Sequence, residues 1–532
     1  MEDIQSISDQ LGIRRDFVEN YGKYMAKVQI GAIGEGTKKG KLILVTAMSP
    51  TRYGEGKTTT TIGLSQAFKR AGKSVSISIR EPSMGPCFGV KGGATGGGRS
   101  KVEPSDRINL LFTGDFPAVS AAHNLLSAMI QNHIYHGNEL NINQERIVFP
   151  RTIDMNDRSL RNIIVNAGSA DNRPITKDSF VITPASEIMA ILGFAMDYDD
   201  LVKRLSRILV AYTNSGKPVY SSDLKAEGAM ASILVDALKP NLVQTTEGVP
   251  AFIHTGPFGN IAHGTSSIIA AKIALTHSDY VITEAGFGSD LGAEKFLNMV
   301  SREGGLRISA ILVVATVRAL KSLGSGNDME SIRTGFTNLL HHVSNLKNFG
   351  FDPVIALNRF SSDTEEEITE VKNLLMDNHI EFGISEVFLK GGEGAMDLVN
   401  ILIDKCNNDE IEVKHTYDYE DTINTKIEKI ATHIYGVKSV NFQKSALINI
   451  KHIEQLGFSH LPICMAKNQY SFSGNDLGQD DNVLNVTSIS VSSGAGFLVV
   501  YCGEIMTMPG LPKIPAACDI TIDSKGNIFN LF

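Results

Sequence analysis

The stretch KLILVTAMSPTRYGEGKTTTTIGLSQAFKRAGKSVSISI, residues 41–79, decides the fold. Its two ends, residues 41–47 and 74–79, are apolar runs rich in β-branched side chains, which is typical of buried strands. Between them, apolar residues spaced three or four apart predict a helix from residue 58 to about residue 71, ended by Gly72. A strand, a helix and a second strand of this kind form the repeating unit of a parallel α/β sheet.

Three further apolar runs extend the predicted sheet: SDYVITEA at residues 278–285, ISAILVVAT at 308–316 and FDPVIALN at 351–358. Each run is followed by polar or glycine-rich residues. The carboxyl ends of parallel strands meet at one edge of the sheet, where α/β proteins bind their ligands. The chain is therefore predicted to be an α/β protein with a mostly parallel sheet and a binding site at that edge.

The composition is that of a folded protein with no sign of a nucleic-acid or membrane partner. The 532 residues are 42% hydrophobic and 20% charged, with a formal net charge of −8 and no Lys/Arg-rich block. No run approaches the roughly 18 apolar residues of a membrane span, and the first residues, MEDIQSISDQ, lack the pattern of a signal peptide. With five scattered cysteines and no CxxC spacing, these features predict a cytoplasmic protein that binds neither nucleic acid nor membranes.

The loop between the first strand and the helix is close to a phosphate-binding P-loop, G-x-x-x-x-G-K-[ST]. Gly56, Lys57 and Thr58 match the motif, and Thr51 stands in place of its first glycine. N–H groups at the start of a helix attract phosphate, Lys57 is suited to bridge the β- and γ-phosphates of ATP, and the Thr58 hydroxyl is suited to the Mg²⁺ that ATP carries. The predicted nucleotide-binding residues are Thr51, Arg52, Tyr53, Gly54, Glu55, Gly56, Lys57 and Thr58. The alternative is a glycine-rich turn with a solvated lysine.

Residues 80–98, REPSMGPCFGVKGGATGGG, contain seven glycines in nineteen positions, which predicts a loop because each glycine disfavours a helix by about 1 kcal/mol. Such a loop either approaches a ligand closely or is a flexible surface loop. Arg80, at the end of a predicted strand, is suited to bind a carboxylate or phosphate through its planar guanidinium, or to pair with a nearby acid. Glu81 is suited to orient Arg80 or to help hold a cation.

A series of colinear blocks carries a resemblance to a known family. They include TRYGEGKTTTTIGLSQAF, REPSMGPCFGVKGGATGGG, PAFIHTGPFGNIAHG, DYVITEAGFGSDLGAEKF, ATVRALK, LNRFSSDTEEE, SEVFLKGGEG and GEIMTMPGLPKIPAACDI. On these blocks the sequence resembles the formate–tetrahydrofolate ligases, also called formyltetrahydrofolate synthetases, nearly from end to end.

The resemblance implies an ATP-dependent ligase. ATP would phosphorylate formate to formyl phosphate, and N10 of tetrahydrofolate would attack the formyl carbon to give 10-formyltetrahydrofolate, ADP and phosphate. By the same resemblance, Lys57 lies at the transferred phosphoryl group and Arg80 holds formyl phosphate. Phe360 and Phe388 are implied to stack on the pterin ring of the folate, although each phenylalanine is by residue type alone more typical of a core.

The resemblance further implies Mg²⁺ with ATP, activation by K⁺ or NH₄⁺, and a homotetramer. Glu81 is the candidate ligand for the monovalent cation. A large P-loop-type nucleotide-binding domain with two smaller α/β domains is also implied. The predicted division is residues 1–360 for the nucleotide-binding and catalytic domain, 361–420 for a small domain that contributes to the folate site, and 421–532 for a C-terminal α+β domain.

Several positions depart from the pattern of the family. Leu111 and Pro117 stand where histidines are expected, His123 where asparagine is expected, Arg99 where an aromatic residue is expected, and Arg52 with Tyr53 replace a smaller pair. Two alternatives therefore stand beside the ligase: a catalytically weakened paralogue, and a ligase for another small carboxylate. A third alternative, a P-loop switch ATPase, calls for a second lysine in the loop, where residue 52 is arginine.

Overall fold

The computed structural model describes residues 1–51, 54–89, 94–167, 175–407, 411–474 and 482–531. Within these ranges, twelve strands form one large mixed sheet, and the other strands form six smaller sheets. Helices alternate with the strands along the chain. The α/β class and the mostly parallel sheet predicted from the sequence are therefore confirmed.

Seven neighbouring strands of the large sheet are parallel. In their order across the sheet they are Pro250–Ile253, Val75–Ile79, Tyr280–Glu284, Lys41–Ala47, Ile308–Ala315, Val354–Asn358 and Phe382–Ser385. Antiparallel strands continue the sheet beyond the first of these, and they are Asn241–Thr245, Ala26–Val28, Val18–Asn20, Ser100–Glu103 and Gly96–Gly97. The strand Lys41–Ala47 thus lies in the middle of the parallel set.

The strands predicted from long apolar runs are confirmed, with ends that differ from the prediction by a few residues. The helix after the first strand spans Lys57–Arg70, close to its predicted limits. Two parallel strands, Pro250–Ile253 and Phe382–Ser385, escape prediction from the sequence. Each is four residues long and contains a proline or a glycine, which weakens the strand pattern.

Helices and smaller sheets make up the rest of the described fold. The other α-helices are Ile4–Leu11, Ala32–Glu35, Met84–Cys87, Ser105–Asn109, Asp115–Tyr135, Glu187–Phe194, Tyr198–Ser206, Glu227–Leu234, Ile268–His277, Ser301–Gly304, Val317–Leu323, Met329–Asn348, Glu365–Asp377, Val387–Lys390, Met396–Cys406, Ile423–His433 and Lys444–Gln455. The segments Ser289–Ala293 and Phe296–Val300 are π-helical. The strands of the smaller sheets are Ile142–Ile147, Arg151–Ile153, Ile163–Val165, Thr176–Asp178, Phe180–Ile182, Leu209–Thr213, Pro218–Tyr220, Ser439–Phe442, Ile463–Ala466, Val483–Val486, Ser488–Ser492, Phe497–Tyr501, Thr521–Ile522 and Ile528–Phe529. No helix in the described ranges is both long enough and apolar enough to cross a membrane.

Side chains of the strand Lys41–Ala47 enter two hydrophobic clusters. Ile43 and Val45 belong to the cluster that includes the helix Lys57–Arg70, and Leu42 belongs to the larger cluster. Alternate residues of a strand point to opposite faces, so the two clusters cover the two faces of the sheet. Burial on both faces explains why this strand is a continuous apolar run and not an alternating one.

Residues beyond 360 contribute to the same sheet. The strand Phe382–Ser385 pairs with Val354–Asn358, and the helix Met396–Cys406 packs in the cluster of the helix Lys57–Arg70. Farther along the chain, a separate three-stranded sheet contains Phe497–Tyr501 as its central strand. The predicted domain boundaries at residues 360 and 420 stay a prediction.

A buried ion pair joins the helix Asp115–Tyr135 to the antiparallel strands. Lys27 is fully buried and donates to Asp115 Oδ1 at 2.7 Å and to Asn241 Oδ1 at 2.9 Å. The Asn241 amide in turn donates to Asp115 Oδ2 at 2.7 Å. Because both charges are removed from water, each depends on the other for compensation.

Replacing Lys27 by methionine is expected to destabilise the protein by about 3–5 kcal/mol, because Asp115 would keep a buried charge without its cation. The measurement is the melting temperature by differential scanning calorimetry. Arg333→Met is the control, since Arg333 pairs with Glu330 and Glu370 at the surface and its loss is expected to change the melting temperature little. An equal fall in melting temperature in the two variants would contradict the conclusion that the buried pair of Lys27 and Asp115 stabilises the fold.

Candidate active site

Three loops lie side by side at the carboxyl edge of the parallel strands. They are the described parts of the lysine loop (residues 48–51 and 54–56), the Phe287 turn (residues 285–292) and the described parts of the glycine loop (residues 80–89 and 94–98). The sequence predicts no helix or strand in the glycine loop, but residues 84–87 form one helical turn and residues 96–97 a short strand. Each of the three loops follows one of three neighbouring strands, with the Phe287 turn following the middle one. The structure therefore gathers the predicted loops at the predicted edge of the sheet.

The lysine loop has a backbone that requires glycine. Gly54 and Gly56 have φ angles of 74° and 72°, in the left-handed region. At Gly56 a Cβ atom would also lie 2.6 Å from the Asn358 amide nitrogen, which donates to the Glu55 carbonyl at 3.0 Å. The Glu55 carboxylate accepts from the Thr51 N–H at 2.6 Å. These contacts fix the backbone just before the helix begins.

Lys57 and Thr58 open the helix and contact the end of the neighbouring strand. The Lys57 ammonium donates to the Phe287 carbonyl at 2.6 Å, and the Thr58 hydroxyl donates to Glu284 Oε2 at 2.8 Å. Glu284 is the last residue of its strand and is buried. The first contact positions a cation, and the second gathers oxygen atoms of the kind that Mg²⁺ prefers.

Arg80 is a half-buried cation that forms no ion pair with a carboxylate in the described part of the chain. Its Nη1 donates to the Pro257 carbonyl at 3.4 Å. Burial lowers the pKa of the guanidinium, and the negative charge of Glu284 offsets part of that effect. A desolvated guanidinium without a paired carboxylate is suited to bind an anionic ligand. The contacts thus favour anion binding over structural pairing with an acid.

Lys57 and Arg80 converge on the Phe287 turn. Lys57 contacts the Phe287 carbonyl, and an Arg80 guanidinium nitrogen lies 3.5 Å from the point that a Cβ atom would occupy at Gly286. Gly286 directly precedes Phe287, so the two cations approach adjacent residues. The structure therefore brings together the two residues predicted to be catalytic, of which Lys57 opens a helix and Arg80 follows the strand Val75–Ile79.

Glu81 has acidic neighbours of its own. It is 4% exposed, and its Oε2 has no hydrogen-bond partner among the described residues. Burial and, next, the negative charge of Asp115 raise the pKa of Glu81 well above its ordinary value. Lys27 supplies one positive charge to this pair of acids through its contact with Asp115. A further cation at Glu81 would be electrostatically favourable.

Phe360 and Phe388 follow neighbouring parallel strands at the same edge. The Arg318 guanidinium lies 4.7 Å from the centre of the Phe360 ring and donates to the Gly54 carbonyl at 2.5 Å, which links Phe360 to the lysine loop. Phe388 lies against the glycine loop and is 54% exposed, while Phe360 is half-buried. An exposed ring at this edge is accessible for stacking, so Phe388 is not a core residue of this chain.

Most departures from the family pattern lie at the surface. Leu111 is 59% exposed, and Pro117 and Arg99 are also exposed. Pro117 lies in the first turn of a helix, where proline is tolerated because the first N–H groups have no partner within the helix. Arg52 and Tyr53, although predicted to bind nucleotide, lie outside the described residues.

His123 is the buried exception among these departures. Its two ring nitrogens each form a hydrogen bond of 2.8 Å, with the Ser186 hydroxyl and the Pro150 carbonyl, and its ring stacks on Phe149. Because a carbonyl only accepts, Nε2 donates to Pro150 and Nδ1 accepts from Ser186. Burial lowers the pKa of His123 to about 4, which keeps this neutral form at physiological pH. His123 therefore serves the fold.

Several contacts of the site escape prediction from the sequence. Phe287 contributes only its carbonyl, which no side-chain pattern reveals. Asn358, at the end of the strand Val354–Asn358, and Arg318, on the helix Val317–Leu323, hold the lysine loop. Glu284 carries a sequence signal, because an acid that ends a buried apolar run is uncommon.

Alanine at Gly56 is expected to lower the melting temperature more than alanine at Gly54. Both substitutions carry the roughly 1–2 kcal/mol cost of a left-handed backbone. Only at Gly56 would the new Cβ meet the Asn358 side chain, since no atom lies within 4 Å of that point at Gly54. The two variants are compared with the wild type by differential scanning calorimetry. An equal fall in melting temperature in the two variants would mean that the Asn358 amide moves aside without a cost in stability.

The chain is similar over its full length to one family. The family model described as formate–tetrahydrofolate ligase matches residues 1–532. Proteins named formate–tetrahydrofolate ligase from Thermoplasma volcanium and Thermoplasma acidophilum are 59% and 60% identical over 544 and 539 aligned residues, with 100% of each chain covered. One from Picrophilus torridus is 51% identical over 537 residues, covering 99% of this chain and 100% of the relative. The chain belongs to the formate–tetrahydrofolate ligase family.

Proposed function

We propose that this chain is an ATP-dependent ligase that joins formate to tetrahydrofolate through formyl phosphate and yields 10-formyltetrahydrofolate, ADP and phosphate. The observation that carries the proposal is the convergence of Lys57 and Arg80 on one turn, in a chain that matches this family from end to end. Two cations that approach adjacent residues of one turn suit a reaction in which negative charge develops on phosphate oxygens.

The phosphates of ATP are assigned to the lysine loop and the residues after it, 51–58. N–H groups at the start of the helix Lys57–Arg70 and the helix dipole favour an anion there. Lys57 would donate to the transferred phosphoryl group while its contact with Phe287 keeps the ammonium in place. Thr58 and Glu284 offer the oxygen atoms that would hold Mg²⁺, which neutralises charge on the phosphate oxygens when it is bound.

Phosphorylation makes formate a usable acyl donor. Free formate would have to expel oxide or hydroxide, whereas formyl phosphate expels phosphate, which is a stable anion at neutral pH. A formate oxygen attacks the γ-phosphorus of ATP, ADP leaves, and the mixed anhydride remains bound. Arg80 is suited to hold the phosphate group of this anhydride, because its guanidinium fork matches the phosphate oxygens.

Formyl transfer then needs a positioned folate and a stabilised oxyanion. The N10 lone pair attacks the formyl carbon, the carbonyl oxygen gains negative charge, phosphate leaves, and N10 loses its proton. A well-placed donor to the developing charge is worth about 3 kcal/mol. Phe360 and Phe388 are assigned to the pterin ring, where stacking adds about 0.5–1.5 kcal/mol for each ring beyond the burial of area.

We assign the monovalent cation implied by the family, K⁺ or NH₄⁺, to a position beside Glu81. The Glu81 Oε2 atom is buried and lacks a partner in the described part of the chain, and Asp115 adds a second negative charge nearby. A bound monovalent cation would offset this charge and satisfy the carboxylate oxygen.

The proposal extends to architecture, assembly and compartment. We assign a P-loop-type nucleotide-binding and catalytic domain to residues 1–360, a small α/β domain to residues 361–420 and a C-terminal α+β domain to residues 421–532. The proposed assembly is a homotetramer, and the proposed compartment is the cytoplasm. Support for a reducing compartment comes from the five cysteines, which all lie in the described ranges and are all free.

The direct test is a set of omission assays on the purified wild-type protein with Mg²⁺ and K⁺. Product is followed as the methenyl chromophore that acid generates from 10-formyltetrahydrofolate. We expect a signal only when ATP, formate and tetrahydrofolate are all present. ATP binding without any product would instead favour a weakened paralogue, and product formed with another short carboxylate would favour a different ligase.

Lys57 and Arg80 are expected to act at different points of the reaction. Lys57→Ala should lower both ADP formation and formylation by about a hundredfold or more, because the transferred phosphoryl group loses its donor. Arg80→Ser should lower formylation by a similar factor while the affinity for MgATP, measured by titration calorimetry, stays near normal. Arg15→Ser is the control, since Arg15 is exposed and pairs only weakly with Asp9 at 3.5 Å. Near-normal formylation by Arg80→Ser would count against its assigned role.

A further inference from the structure

His342 bridges two of the loops at the candidate active site. It lies on the helix Met329–Asn348 and is fully buried. Its Nε2 lies 3.1 Å from the Ser49 hydroxyl of the lysine loop, and its Nδ1 lies 2.7 Å from the Ser289 hydroxyl of the Phe287 turn. One imidazole thus links the loop that precedes Lys57 to the turn whose carbonyl Lys57 contacts.

One arrangement of protons satisfies all of these contacts. The Asn338 amide donates to the Ser49 oxygen at 3.1 Å, which leaves the Ser49 hydroxyl to donate to His342 Nε2. His342 Nδ1 then donates to the Ser289 oxygen, and the Ser289 hydroxyl donates to the His342 carbonyl at 3.5 Å. Burial lowers the pKa of His342 to about 4, so the ring holds the neutral form that this arrangement needs.

The Phe287 turn is packed directly against the imidazole. Gly288 follows Phe287, and a Cβ atom there would lie 3.0 Å from the His342 ring and 2.7 Å from Asp290 Oδ1. Phe287 has a φ of 58°, which is an uncommon left-handed backbone for a large side chain. The backbone that presents the Phe287 carbonyl therefore has little room to move unless His342 moves.

From this geometry we propose that His342 is a positioning residue: it locks the lysine loop to the Phe287 turn and so fixes Lys57 at the phosphoryl group that ATP transfers. The inference rests on the proposed function, because it gives His342 a part in that reaction. His342 acts through Ser289 and the Phe287 carbonyl and is not assigned a contact with substrate.

The expected effect lies in the rate more than in binding. Misplacing a reacting group by about 1 Å can cost about a hundredfold in rate. The affinity for ATP depends also on the N–H groups at the start of the helix, which remain when His342 is removed. Loss of His342 should therefore lower kcat more than it raises the KM for ATP.

A purely structural role is the competing explanation, and the neighbouring residue offers a matched control. His341 lies on the same helix, but its ring stacks on Phe472 with centroids 3.8 Å apart and its Nε2 donates to the Ile434 carbonyl. These partners belong to the C-terminal part of the chain and not to the two loops. His341→Ala therefore removes a packed imidazole that forms none of the hydrogen bonds of the bridge. The Phe472 ring also packs against His342, with centroids 4.9 Å apart, so the variant reports the effect of losing that packing while the bridge to Ser49 and Ser289 is kept.

The kinetic test compares His342→Ala, Ser49→Ala and Ser289→Ala with His341→Ala. We expect kcat to fall by about tenfold or more in His342→Ala and by less in each serine variant, which removes only one contact. The KM for tetrahydrofolate should stay unchanged, and His341→Ala should keep the wild-type kcat. A lower melting temperature with unchanged kcat in His342→Ala, and unchanged kcat in both serine variants, would overturn the proposal.

Hydrogen exchange by mass spectrometry tests the bridge without turnover. His342→Ala is expected to raise amide exchange in both the lysine loop and the Phe287 turn, whereas His341→Ala is not. Unchanged exchange in either loop overturns the proposal even when the omission assays succeed. If His342→Ala raises amide exchange but the wild-type protein makes no product, the proposed function is wrong. The part assigned to His342 in the reaction is then wrong as well.

Two conservative variants, His342→Asn and His342→Gln, are expected to differ in activity in a way that a merely structural role would not produce. The amide of asparagine reaches the position of Nδ1, and the amide of glutamine reaches that of Nε2. His342→Asn can keep the contact with Ser289, which holds the Phe287 carbonyl, so it is expected to retain more activity than His342→Gln. The reverse order would overturn the route from His342 through Ser289 to Lys57.

Discussion

The burial of the strand Lys41–Ala47 on both faces is the constraint from which the site follows. Parallel neighbours flank the strand, and apolar clusters cover it above and below, so a register shift of one residue would exchange the side chains of the two packed faces and disrupt both clusters. Its carboxyl end therefore delivers the lysine loop to a fixed place between the loops of its neighbours. A rigid scaffold of this kind lets the loops carry chemistry without belonging to the core.

Buried and half-buried cations in this chain differ in their hydrogen-bond partners. Lys27 and Lys467 each have a carboxylate at 2.7 Å, from Asp115 and Asp290, and these pairs hold separate elements together. Arg80 is desolvated without such a partner among the described residues, and burial lowers the pKa of its guanidinium. An anionic ligand would relieve that desolvation, so the free protein is already prepared for an anion. The fully buried Lys295 and Lys426 also donate to backbone carbonyls. Arg80 differs from them because it follows one of the parallel strands and approaches the turn that Lys57 contacts.

Features that depend on neighbouring residues could be predicted from the sequence, whereas contacts between residues far apart in the chain could not. Lys57 and Arg80 could be predicted because a lysine after a glycine turn and an arginine at a strand end are local patterns, and the central strands could be predicted from long apolar runs. The short strand Phe382–Ser385 lacks such a run. The Phe287 carbonyl gives no signal, because every residue has one and only tertiary structure brings it to Lys57. His342 lies 293 and 53 residues from the two serines that it joins, so no local pattern connects them.

A carbonyl partner allows Lys57 to be ordered and still act as a cation. A carboxylate in its place would neutralise the ammonium and compete with phosphate, whereas a neutral carbonyl orients the ammonium and leaves its charge intact. Glu284, the acid at this strand end, accepts from the Thr58 hydroxyl instead. A neutral His342 suits the same design, because an imidazolium behind the Phe287 turn would add a buried positive charge with no substrate to compensate it. At this edge of the sheet, the neutral carbonyls of Phe287 and Pro257 therefore accept from the two cations assigned to substrates and leave their charge intact.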